Sequence, residues 1–152
     1  MSLDTHLFLD TSISPAAFAA RLAAEHSLQP DGAWLGGDLV SLIVRPWTED
    51  DRDLIEGDFE TASIYVKFIP RTSTAGFAAV ERLLAAILCS VPGDAYMRRQ
   101  DSDRAGLLRR DGVVYLDPDQ LHPEGLTQNG YTPERLVIGV PAEGAASTGI
   151  NA

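Results

Sequence analysis

Apolar positions recur along this chain with two different periods. Between residues 61 and 69 the period is two. Ala62, Ile64, Val66 and Phe68 alternate with Ser63, Tyr65 and Lys67, which predicts a half-buried strand with one wetter face. From Ala75 to Val91 the period is 3.6. Phe77, Val80, Leu83, Leu84, Ile87, Leu88 and Val91 fall on one broad face, which predicts an amphipathic helix. Thr72-Ser73-Thr74 offers hydroxyl caps at its start, and Pro92-Gly93 ends it. A first helix is expected from Ser14-Pro15 to about His26, with Phe18 and Leu22 four apart on its apolar face.

Shorter elements fill the remainder. Thr5 to Thr11, around Leu7, Phe8 and Leu9, reads as a first strand. Gln29-Pro30-Asp31-Gly32 reads as a turn. Ala33-Trp34-Leu35 and Leu39 to Pro46 form a hairpin about Gly36-Gly37-Asp38. Ala95 to Arg99 is a strand, and Leu107–Arg110 and Val113–Leu116 form a second hairpin about Asp111-Gly112. Beyond Pro118 the chain reads as irregular, with one capped helical turn at Thr132-Pro133-Glu134-Arg135-Leu136.

The order βαβββαβββ predicts an α+β domain of two layers. A mostly antiparallel sheet carries both amphipathic helices on one face and leaves the other face free for a partner. Residues 1–141 are expected to form this single domain, with an irregular C-terminal arm, and residues 142–152 a flexible tail.

The 152 residues carry 12 Lys and Arg against 22 Asp and Glu, a formal charge of −10. That balance argues against binding nucleic acid or an anionic membrane surface, and favours a basic protein partner. A single cysteine, Cys89, excludes an internal disulfide and suits a reducing compartment. It is expected to be packed, near a helix C-terminus where the dipole does not favour a thiolate. Without a basic leader or a long apolar run, the chain is read as cytoplasmic.

His6, His26 and His122 lack local metal-ligand spacing, and no metal or cofactor is expected. No GxSxG, GxxxxGK[ST] or GxGxxG motif occurs, so the chain is read as non-enzymatic. Arg98, Arg99, Arg104, Arg109 and Arg110 cluster in sequence, but Asp101 and Asp103 interrupt them and no aromatics interleave. The expectation is a wet hairpin face with arginines paired to nearby acids.

The charge concentrates in residues 49–60, where seven acids accompany one arginine. Glu49, Asp50, Asp51, Asp53, Glu56 and Asp58, with Phe59 as an apolar anchor, form the candidate partner-binding site. The plainer alternative is a solvated connector whose apolar residues dock on the core.

Three segments carry a family resemblance: Val91-Pro92-Gly93-Asp94-Ala95 at the helix exit, Leu107-Leu108-Arg109-Arg110-Asp111-Gly112, and Tyr131-Thr132-Pro133-Glu134-Arg135-Leu136. In that order, after the strand Thr61 to Phe68, the chain resembles the swarming-inhibition toxin immunity family across most of residues 3–141. It departs from the pattern at Arg98 to Arg104, where a more apolar strand and short turn would be expected. The resemblance implies a small protein that binds and neutralises a cognate toxin by occlusion, without chemistry of its own. The alternative is a small-molecule-binding or self-associating module that uses the sheet face around Tyr65 and Lys67. A homodimer is left open.

Overall fold

The computed structural model describes residues 4–54 and 62–139. It is an α+β fold built on one nine-stranded sheet. The strands are β1 (Thr5–Leu9), β2 (Gln29–Asp31), β3 (Trp34–Gly36), β4 (Val40–Pro46), β5 (Ile64–Pro70), β6 (Ala95–Arg99), β7 (Leu107–Arg110), β8 (Val113–Leu116) and β9 (Arg135–Ile138). Helices α1 (Pro15–His26), α2 (Thr74–Ser90) and α3 (Pro123–Thr127), and a 3-10 helix at Glu49–Leu54, complete the described elements. The spatial order is β2-β3-β4-β5-β1-β6-β7-β8-β9. Every pairing is antiparallel except β8 with β9.

The two long helices, α1 and α2, begin at hydroxyl caps. Ser14 Oγ accepts from the Ala17 amide at 3.1 Å, and Ser73 Oγ from the Gly76 amide at 3.0 Å. At the β7–β8 hairpin, Asp111 and Gly112 both have positive φ, 53° and 81°, as a tight two-residue turn requires.

Side-chain parity divides the buried residues. Leu7, Leu9, Leu42, Val44, Ile64, Val66, Phe68, Met97, Leu107, Val114 and Leu116 face the helices. There they meet Phe18 and Leu22 of α1, and Ala79, Leu83, Leu84, Ile87 and Leu88 of α2. The opposite face carries a smaller cluster of Phe8, Tyr65, Tyr96 and Leu108, with Ala62, Ala105, Trp47 and Tyr115 packed around them. The expectation of a free second face is therefore corrected at its centre. Phe8, Tyr65 and Tyr96 are almost wholly buried, because β1 and its neighbours carry large apolar side chains on both faces.

Three local expectations are also corrected. Gln29-Pro30-Asp31 is not a turn but edge strand β2, paired with β3. Proline is tolerated there because an edge strand leaves one side of its backbone unpaired. Thr132 to Leu136 is not a helical turn. Arg135–Ile138 lies parallel to β8 as β9, after α3 has carried the chain across. The segment after Pro118 is thus less irregular than its prolines suggest. Leu136, Val137 and Ile138 remain exposed on this outer strand. The proposed tail at 142–152 lies outside the described residues.

Candidate functional site

The face opposite the helices displays two cross-strand rows. The first runs Trp34–Ile43–Lys67–His6–Arg98 across β3, β4, β5, β1 and β6. The second runs Arg45–Tyr65–Phe8–Tyr96–Leu108–Tyr115 across β4 to β8. Directly opposed side chains in a sheet are contact neighbours. The second row behaves accordingly: the Phe8 and Tyr65 rings lie 5.1 Å apart, Phe8 and Tyr96 lie 6.1 Å apart, and the Arg45 guanidinium sits 4.3 Å from the Tyr65 centroid.

Hydrogen bonds tie the two rows together. The Tyr65 hydroxyl lies 2.6 Å from His6 Nδ1, and His6 Nε2 bonds the Gln100 side-chain carbonyl. With that carbonyl as acceptor, Nε2 carries the imidazole proton and Tyr65 donates to Nδ1. Burial lowers the His6 pKa. The Gln100 bond opposes this, and the Arg98 and Lys67 charges reinforce it. Burial also pushes the Tyr65 phenol up to about 12. Both groups therefore stay neutral near pH 7, as a structural pair. Lys67 reaches Asp4 at 3.5 Å.

The acidic connector joins this face through Asp51. Its carboxylate accepts two bonds from Arg45, at 2.6 and 2.8 Å, and one from the Thr48 amide at 2.9 Å. Burial alone would raise the Asp51 pKa, but the Arg45 and Thr48 bonds outweigh it and hold the carboxyl below its usual range. Asp51 is 3% exposed. The reading of Asp51 as a surface contact for a basic partner is corrected: its charge is spent internally, on a forked arginine pair. Glu49 and Asp50, the two residues before Asp51, are exposed. Asp53 lies in the same 3-10 helix. Glu56, Asp58 and Phe59 lie outside the described residues. Glu49 and Asp50 thus stand directly before Asp51, which Arg45 links to Tyr65 of the second row.

The arginines that cluster in sequence separate in space. Arg98 and Arg110 lie on the face opposite the helices, by the parity of their strands. Arg104 sits in a loop and pairs with Asp117 at 2.8 Å and Asp119 at 3.2 Å. Arg109 turns inward. Its guanidinium donates to the carbonyls of Leu88, Val91 and Gly93 at 2.8, 2.5 and 2.6 Å, closing the C-terminal end of α2. The expectation of a wet, acid-paired arginine is corrected at Arg109, which is 8% exposed. Gly93 makes this exit with φ 110°, where a Cβ would meet the Asp10 carbonyl at 2.5 Å. Cys89 is exposed rather than packed, its thiol 3.4 Å from the Gly130 carbonyl.

Sequence reasoning missed Trp34. It is 47% exposed on the first row, beside half-buried Ile43. The available signal was its place opposite buried Leu35 in a short strand next to a glycine turn. Among the described residues no group of three or more His, Cys, Asp or Glu could hold a metal ion, and no helix is long and apolar enough to cross a membrane. Comparison of the chain with protein-family models, curated proteins and solved structures finds no match.

Proposed function

We propose that this chain is an immunity-like binding protein that neutralises a cognate toxin by covering it, with no chemistry of its own. The observation that carries this reading is the pairing of an exposed anchor with a fixed acidic rim. Trp34 stands out from the sheet beside Ile43, and the Arg45–Asp51 pair pins the turn that displays Glu49 and Asp50. Tryptophan and arginine dominate the energetics of interfaces, with a polar rim around them. A chain of charge −10 steers a basic partner toward such a surface. The rim would set the association rate and Trp34 the lifetime of the complex.

The test uses a partner captured on the wild-type protein. That partner should arrest growth when expressed alone and be harmless when co-expressed with this chain. Trp34→Ala should weaken binding at least about tenfold, an effect of ~1.4 kcal/mol, with unchanged thermal stability. Glu49→Lys with Asp50→Lys should slow association and flatten its salt dependence. A captured partner without toxicity, or one bound equally well by all these variants, would sink the reading. Asp51 is kept intact because its replacement would test folding rather than recognition.

A further inference from the structure

On the helix side, a cavity of about 310 Å³ opens between α2, β6 and the loop that leads into α3. Its walls include Phe77, Val80, Leu84, Met97 and Leu121, together with Arg99, Glu81 and His122. This size is at the lower end of ligand pockets, and a mostly apolar wall with a few convergent polar groups is their usual make-up.

Two of those groups, Arg99 and Glu81, are charged and half-buried without an opposite charge paired to them. Arg99 is anchored on both its backbone and its side chain. Its amide donates to Gln120 Oε1 at 3.1 Å, its Nη1 donates to the Gln120 carbonyl at 3.1 Å, and its Cζ lies 5.8 Å from the Phe77 ring centroid. Among the described residues no carboxylate pairs with it. Glu81 projects from α2 against Gly125 of α3, and its carboxylate occupies space that a Cβ at Gly125 would take. Among the described residues Glu81 has no hydrogen-bond or ion-pair partner.

Half-buried charges are ordinarily paired, because each loses hydration that only a counter-charge or good donors replace. Here Arg99 and Glu81 line one small cavity without pairing with each other, while Asp119, the other carboxylate of the lining, pairs with Arg104. A single ligand that carries both signs would satisfy both. The apolar remainder of the wall asks for an apolar body. We infer that this cavity binds a small zwitterion of the α-amino-acid class with an apolar side chain. Arg99 would take its carboxylate, Glu81 its ammonium, and Phe77, Leu84 and Met97 its side chain.

The test titrates L-leucine and L-phenylalanine into the isotope-labelled full chain, with amide shifts as the readout. Parallel titrations use 4-methylpentanoate, which lacks the ammonium, and isoamylamine, which lacks the carboxylate. At least one amino acid should give saturable shifts confined to residues around Glu81, Met97, Arg99 and Leu121. Each singly charged analogue should bind about tenfold or more weakly. Glu81→Gln and Arg99→Gln should lower affinity by a similar factor. Glu81 makes no internal bond, so its variant keeps the test informative if the Arg99 change disturbs Gln120. Absence of saturable local shifts at millimolar amino acid would overturn the proposal. So would 4-methylpentanoate binding as tightly as leucine, or Glu81→Gln binding unchanged.

Discussion

On the helix side of the sheet, Leu7, Leu9, Val66 and Phe68 meet α2 through aliphatic and aromatic surface alone, and one buried charge, Arg109, closes the margin of that layer. On the opposite side, Phe8, Tyr65 and Tyr96 are buried just as deeply, but every second neighbour is polar: His6, Arg45, Lys67, Arg98. The first face is covered by regular helices whose own backbone bonds are internal. The second is covered by loops, and loop backbone needs partners from side chains. This explains why Asp51, Thr48 and Arg45 form a bonded knot there. A sheet buried on both faces therefore need not have two equivalent cores: on the looped face polar side chains alternate with the buried rings across the sheet itself.

The largest effect should come from breaking the helix side at its charged margin. Arg109→Ala would orphan the carbonyls of Leu88, Val91 and Gly93, costing about 3–5 kcal/mol in urea unfolding at ~1–3 kcal/mol per buried group. Arg109→Lys should recover less than half, since an ammonium lacks the planar fork. On the looped face, Asp51→Ala should cost about 2–3 kcal/mol, because it releases a forked arginine and the Thr48 amide together. If both variants lose the same amount, the contrast between the faces fails.

A pH titration sharpens the contrast further. The His6 pKa is depressed from 6.5 by burial, so the unfolded chain takes up its proton first. The stability it contributes is full above about pH 6.5 and is lost as pH falls toward the folded-state value. Asp51 is depressed from 3.8. Its contribution persists above that pH and disappears only as pH falls through the lower folded value. Stability should therefore decline in two acid windows, and His6→Gln should remove the upper one alone in unfolding measured from pH 8 to 5. The smallest effect belongs to Trp34→Ala. An exposed side chain with no internal bond should change stability by no more than about 0.5 kcal/mol, while removing the partner anchor proposed above.

Much of the scaffold is legible in the residues themselves. The alternation at Ile64–Phe68, the 3.6 spacing from Phe77 to Leu88, the two serine caps and the Asp111-Gly112 turn all correspond to elements in the structure. What escaped was decided by non-local partners. Pro30 reads as a breaker until β3 offers it an edge, and Thr132-Pro133-Glu134 imitates a helix start until β8 takes up Leu136 and Val137 as a strand. In the candidate site, the acidic run was visible but not its division into inward Asp51 and outward Glu49 and Asp50. That division depends on Arg45, which reaches Asp51 only because β4 ends beside the turn. Arg109 escaped for the same reason. Arg110 and Asp111 follow it in sequence, whereas its neighbours in space are carbonyls at the end of a helix.

The position of β1 governs how the molecule can be assembled. Thr5–Leu9 occupies the middle of the sheet, with Phe68 opposite Thr5 on one side and Arg99 opposite it on the other. During synthesis it must therefore wait until Ile64–Pro70 is made before its first neighbour exists, and until Ala95–Arg99 before its second. The β3–β4 and β7–β8 hairpins close over short distances in microseconds, whereas the central ladder demands long-range loop closure. The rate-limiting event should be insertion of this strand between two partly formed half-sheets. Until then the apolar edges of β5 and β6 are open to any extended chain that reaches them first.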